Sequence, residues 1–320
     1  VHRSIFLIPF LAIACATTGS STPAPIARKA SETTCTLAGR YEVYSHVEVR
    51  DDRDGALAFI RAGTWNVRAE GLPAKRLRLF ARNAEAHVRV EGFVAEDALS
   101  IRAARDLPIV PGAVWIAKGA EVAVRGRGGE LSVAPTDVPG WPVDVKADCS
   151  DLGFAHSPAV DLPPSDFVAY VVGEHASLAA RPGGATVFDV PKNLDDRKTE
   201  LLAYERKGGF VHVRFSLGLV LDGWIHESEL EVIKEEASGY GGLGMTGIGR
   251  STPPRTVVRE SAVTLRPEPL ANVAAIAEPG ARVHVLREVG VFAEVRIVDS
   301  GLDAPDDEAF FLPLDALGPP

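Results

Sequence analysis

Residues Gly223–Leu230, GWIHESEL, set His226 beside Glu227. That pair opens the pattern by which a helix offers two histidines to one zinc ion. The chemistry needs a second histidine four residues on, one helical turn away, so that both imidazoles face the same metal. Leu230 stands there, so no metal site is expected. Gly242–Gly247, GLGMTG, has the spacing of a nucleotide-binding glycine loop. Such a loop works only between a strand and a helix, with an acidic residue about 20 positions on. It is followed here by IGRSTPPR, which does not open a helix, so no nucleotide or other cofactor is expected. His46, His87, His156, His175, His212 and His284 are scattered without ligand spacing. The acidic pairs Asp51–Asp52 and Asp195–Asp196, and the run Pro305–Glu308, fall in turns where solvation is their expected role. With no nucleophile elbow and no serine-x-x-lysine pattern, the chain is expected not to be an enzyme.

The elements that would position any site are short strands. The 320 residues include 30 Gly and 23 Pro but one Met, and few runs suit a long helix. RLRLF (Arg76–Phe80), VHVRF (Val211–Phe215), RVHVL (Arg282–Leu286) and AEVRIV (Ala293–Val298) alternate apolar with polar residues. Side chains along a strand point to opposite faces in turn, so this period of two marks strands buried on one side. Leu77 and Leu79 are expected inside and the neighbouring arginines on the wet face. The fold class expected is all-β. The formal charge of −9 disfavours a phosphate backbone, whose binding rests on cations displacing counterions, so nucleic acid is not an expected partner.

The N-terminus carries an address. Arg3 precedes an apolar run, Ile5–Ala14, too short to span a bilayer and ending in small residues, as a signal peptide of residues 1–14 would. LAIAC, Leu11–Cys15, resembles the lipobox of bacterial lipoproteins. That resemblance implies lipidation of Cys15, a membrane partner through that lipid, and a cell-envelope location on the outer membrane facing the periplasm. Cleavage to a secreted or soluble periplasmic protein is the alternative. Residues 15–38 would then be a lipidated tether. Once Cys15 is set aside, Cys35 and Cys149 remain. In an oxidising compartment they are the natural disulfide, with two unpaired buried thiols as the other reading.

Internal repeats organise the rest. GFVAEDAL (Gly92–Leu99), GWIHESEL (Gly223–Leu230) and FFLPLDAL (Phe310–Leu317) align, with GWPVDV (Gly140–Val145) as a degraded fourth copy. Phe93, Trp224 and Phe311 then occupy one position and are expected to be structural anchors. IAKGAEVAV (Ile116–Val124) matches IAEPGARVHV (Ile276–Val285), and IRAGTWNV (Ile60–Val67) is a looser copy. VTLRPEP (Val263–Pro269) echoes SLAARPG (Ser177–Gly183) and SIRAARD (Ser100–Asp106). The units expected are 39–99, 100–153, 166–234 and 256–318, with a Pro-rich connector at Asp151–Asp166 and a Gly/Pro-rich linker at 235–255.

This order of elements resembles bacterial Src-homology-3 domains of cell-envelope proteins, best over Ser261–Leu317. Phe292 stands where that family usually has Trp, and Phe310 replaces the closing Gly. The resemblance implies tandem small Src-homology-3-like barrels acting as a non-catalytic module for cell-wall (peptidoglycan) peptides or envelope proteins. A structural subunit of a larger envelope complex is the alternative, and a cell-wall hydrolase with an unfamiliar site a remote one. Groove-type recognition uses exposed aromatics beside loops. The candidates are Tyr170, Tyr204 and Phe210 in the third unit and Trp65 and Trp115 in the first two, a core position being the other reading for each.

Overall fold

The period-two pattern becomes antiparallel strands with buried inward positions. Along Arg76–Asn83, Leu77, Leu79 and Ala81 are inside while Arg76, Arg78 and Arg82 are exposed. The computed structural model describes residues 34–43, 45–127, 130–141, 143–157, 160–194, 196–234, 253–269 and 272–319. These belong to one compact unit, Thr33–Pro320. They are all-β, with short 3-10 turns and no α-helix among them. The signal segment, Cys15, the tether to Thr33 and the linker to residue 252, including Gly242–Gly247, lie outside the described residues. Two boundaries shift. Cys35–Ala38, expected in the tether, are the first half of a strand because Cys35 and Leu37 are core positions. Arg255, expected in the linker, also begins a strand.

Four successive segments repeat one strand order. The first holds β1 (Cys35–Glu42), the hairpin β2 (Val47–Arg50) and β3 (Ala56–Ile60), and a meander of β4 (Thr64–Leu72), β5 (Arg76–Asn83) and β6 (Val88–Ala95). The second holds β7 (Arg102–Ala103), the hairpin β8 (Leu107–Val110) and β9 (Val114–Ile116), the meander β10 (Val122–Arg127), β11 (Glu130–Pro135) and β12 (Val145–Ala147), and a closing β13 (Leu152–Gly153). The third has β14 (Phe167–Val171), the hairpin β15 (His175–Ala179) and β16 (Thr186–Pro191), and a small hairpin of β17 (Asn193–Leu194) and β18 (Arg197–Lys198). Its meander is β19 (Glu200–Lys207), β20 (Phe210–Leu217) and β21 (Leu219–His226), and it closes with β22 (Leu230–Lys234). The fourth has β23 (Arg255–Thr256), the hairpin β24 (Ser261–Thr264) and β25 (Val273–Ala277), and β26 (Arg282–Val289), β27 (Phe292–Ile297), β28 (Leu302–Asp303) and β29 (Phe310–Pro313).

A 3-10 turn follows each meander, at Glu96–Ala98, Cys149–Asp151, Glu227–Glu229 and Leu314–Ala316. The next residue is always leucine, Leu99, Leu152, Leu230 or Leu317, each buried and donating its amide to the turn's first carbonyl. The chain then returns beside the segment's first strand: β13 pairs with β7, β22 with β14, and Leu317 bridges Val257. In the first segment the Ser100 amide reaches Tyr41 Oη at 3.4 Å.

This geometry corrects two alignments. The second segment's copy of the closing motif is Val145–Leu152, VKADCSDL, not Gly140–Val145, because the turn and its buried leucine are what recur. Trp141 is buried against Phe215 (5.4 Å, stacked) and Phe188 (6.0 Å) of the third segment. Ser100–Asp106 does not match the hairpins. It carries β7, a first strand, which is bonded to β13 and bridged to Glu121. The glycine element does recur: Gly63, Gly119 and Gly280 have φ of 91°, 81° and 99°. Each links a hairpin to its meander in a conformation that suits residues without a Cβ.

Ladders cross the segment limits. β6 pairs with β25, β3 with β28, and β9 with β21. A 13-stranded sheet thus joins the first and fourth segments, and a nine-stranded sheet joins the second hairpin to the third segment. Both sheets are open, so four self-contained closed ladders are not what these strands form. Cys35 and Cys149 form a disulfide, Cα to Cα 5.5 Å, tying the start of β1 to the second segment's 3-10 turn.

Candidate functional site

The second meander strand of each segment begins beside its 3-10 turn, and this corner is where the segments differ in chemistry. Register sets Arg76 opposite Ala95, Phe210 opposite His226 and Phe292 opposite Pro313. One backbone bond recurs at each of these corners. Glu96 N donates to Lys75 O at 3.2 Å, Glu227 N to Gly209 O at 3.0 Å, and Leu314 N to Val291 O at 2.9 Å. Leu131 pairs with Ala147, which puts Glu130 at the equivalent place in the second segment.

In the fourth segment the corner is an open groove of about 560 Å³. Buried Phe292 and Thr264 line it, between Pro269 of the hairpin loop, Val291 of the turn and Pro313 ahead of the 3-10 turn. Val291 is 72% exposed, the most open of the large apolar residues described. Arg259 Nη2 and Asp315 Oδ1, 2.5 Å apart, put an ion pair on the rim. Apolar walls with a few polar groups at the edge suit an extended chain.

The third corner is aromatic too. Half-buried Phe210 meets His226 edge-on, centroids 5.1 Å apart at 90°. His226 Nδ1 accepts from the Ser228 amide at 3.3 Å, so the neutral ring carries its proton on Nε2. Gly183 and Gly209, both at positive φ, leave the flanks without side chains.

The first two corners are occupied by their own charges. Arg76 lies over Phe93, 4.2 Å from the ring centroid, and donates to the Asp51 carbonyl. Lys146 Nζ holds Glu130 at 2.9 Å, and Arg105 Nε donates to Asp151 Oδ1 at 2.6 Å. That bond holds the Asp151 carboxyl below its ordinary value against the opposing effect of burial.

The other aromatics named from the sequence are not gathered here. Tyr170 is half-buried and its hydroxyl donates to Glu200 at 3.1 Å. Tyr204 donates to the Pro163 carbonyl at 2.7 Å, and burial raises its phenol. Trp115 is half-buried where β9 pairs with β21, opposite Val220. Trp65 is fully buried, its Nε1 donating to Ala62 O at 3.1 Å, and is closed to any ligand. Phe93, Trp224 and Phe311 pair with Arg50, Ala179 and Thr264, where each meander crosses its own hairpin. Trp224 and Phe311 are buried, while Phe93 is half-covered by Arg76. Val291, Pro269 and Pro313 were not singled out in the sequence. The signal for them is Phe292, standing where the Src-homology-3 resemblance expects Trp, which marks this corner.

Among the described residues no group of three or more His, Cys, Asp or Glu is placed to hold a metal ion, and no helix is long and apolar enough to cross a membrane. Comparison with protein-family models, curated proteins and solved structures finds no match to this chain.

Proposed function

We propose that the chain is a non-catalytic binding module of the bacterial cell envelope, exported and anchored through lipid on Cys15. Its fourth-segment groove would take an extended cell-wall peptide or a segment of an envelope protein. The observation that carries this reading is the open apolar corner formed by Phe292, Val291 and Pro313. The Phe210–His226 corner in the same register gives a second, related position. We read each segment as a Src-homology-3-like barrel whose ring passes through the 3-10 turn as chain rather than as ladder. In support, strand order, the turn and the buried leucine recur four times.

Val291→Asp tests the reading, because an exposed position accepts a charge with little effect on stability, within about 0.5 kcal/mol. The full chain is expected to pellet saturably with purified peptidoglycan sacculi and to be released by free muropeptides. The variant is expected to lose about tenfold in affinity, or roughly 1.4 kcal/mol. Absence of pelleting, or equal pelleting by the variant, removes the cell-wall reading of this groove.

A further inference from the structure

The outer face of β1, β4, β5 and β6 carries a second site. In chain order its outward residues include Arg40; Asn66, Arg68 and Glu70; Arg78, Phe80 and Arg82; and Arg89 and Glu91. All of these but Glu70 and Arg78 line a trough of about 700 Å³. Register sets Arg40 opposite Asn66, Asn66 opposite Arg82, and Arg82 opposite Arg89. Like charges facing one another across strands are unfavourable. Here two are neutralised from the fourth segment: Arg82 binds Glu278 through Nε (3.0 Å) and Nη2 (2.7 Å), and Arg89 binds Glu260 at 3.0 Å. Glu278 is held below its ordinary value by that contact.

Three further arginines lie on a diagonal. Arg40 is on β1, Arg68 is two residues past its partner on β4, and Arg78 is two residues before the partner of Arg68 on β5. Diagonal neighbours of this kind lie about 7–8 Å apart. Among the described residues Arg40 and Arg78 have no ion pair, while Arg68 touches Glu70 at 3.1 Å. Phe80 lies between the last two, Arg68 Cζ 4.3 Å and Arg78 Cζ 4.7 Å from its centroid. Stacking on a ring holds a guanidinium plane in place and leaves its edge N–H groups free for a carboxylate fork.

We propose that this diagonal binds an extended acidic peptide segment with carboxylates on alternate residues. In an extended strand every second residue is displaced by about 6.6–6.8 Å on the same side, close to the separation of about 7–8 Å between the diagonal strand positions that carry the three arginines. The net charge of −9 works against a long dense polyanion and in favour of a short segment whose charges fit the triad. The site lies apart from the fourth-segment groove and does not depend on it.

The probe is a labelled peptide, Asp-Thr-Asp-Thr-Asp, compared with its isomer Asp-Asp-Asp-Thr-Thr against the full chain at low salt. The alternating peptide is expected to bind about tenfold tighter than the isomer, and Arg40→Ser/Arg78→Ser to lose about tenfold. Both arginines are exposed, so the fold should survive. Lys118→Ser/Arg125→Ser, which removes the same charge at exposed sites elsewhere, is expected to leave binding unchanged. Equal affinity for the two isomers, equal loss in the control pair, or tighter binding of single-stranded oligothymidylate overturns the proposal.

Discussion

At the scale of single residues, two glycines fix how closely a meander approaches its own hairpin. A Cβ on Gly92 would fall 2.7 Å from the Arg50 carbonyl oxygen, and one on Gly223 would fall 2.7 Å from that of Ala179. Those atoms are backbone, so the strand itself must move. Gly223→Ala is therefore expected to destabilise the protein by about 1–3 kcal/mol. Gly153→Ala, whose Cβ would meet only Ala104 at 4.0 Å, should change stability by no more than about 0.5 kcal/mol. Urea midpoints of the two variants check the contrast. In the first and third segments the Gly-aromatic dipeptide is thus a packing device: glycine for the close crossing, then an aromatic paired with the hairpin strand.

At the scale of elements, a 3-10 turn follows the meander of every segment, and in the second it is held by a buried carboxylate. Asp151 accepts from Arg105 and from the Asp148 amide at 2.9 Å. Since Arg105 is largely exposed, Asp151→Asn is expected to cost about 1–2 kcal/mol at neutral pH. The carboxyl is depressed in the folded state from its ordinary 3.8. Its contribution is therefore complete above pH 3.8 and is lost as pH falls through the lower folded value. Stability of wild type and variant should differ at pH 7 and converge only as pH falls below 3.8. Much at this scale was legible in the sequence. RLRLF alternates as read, and each glycine before a Val-x-Val or similar run links a hairpin to a meander. What failed had a physical cause. Gly-Trp in Gly140–Val145 suggests a copy of the motif, yet the recurring feature is a turn and a buried leucine, which VKADCSDL provides without either residue. Tyr170 and Tyr204 have the right residue type, but whether an aromatic flanks a groove depends on which loop lies opposite, and no local pattern states that. Alternation alone marks the arginines of β5 as a solvated face. They do lie outward, but only the ladder register places Arg78 on one diagonal with Arg40 and Arg68.

At the scale of the molecule, ladders join the third segment to the second hairpin and the fourth segment to the first. The first and second are tied by Cys35–Cys149 and by Tyr41 packing on Phe154, centroids 5.5 Å apart. The disulfide closes a loop with a sequence separation of 114, for which the chain-entropy model gives roughly 4–5 kcal/mol. Cys35→Ser/Cys149→Ser should lose stability of that order. Because the bond clamps two ladder-joined pairs together, unfolding in urea should also broaden into two steps, followed by tryptophan fluorescence. These cross-segment pairings leave no mark in local alternation, since an edge strand looks the same whichever neighbour it meets.

The ladder between β6 and β25 also has a consequence in time. A chain made from its N-terminus completes β6 long before β25 exists, so the first segment waits with a bare hydrogen-bonding edge through the synthesis of the two segments between. Unpaired edges recruit other strands, and charge on them delays such mispairing. Arg82 and Arg89, one on β5 and one on β6, hold like charges beside that edge until Glu278 and Glu260 arrive with the last segment. The arginines that are neutralised in the finished protein would thus guard this edge while it is incomplete.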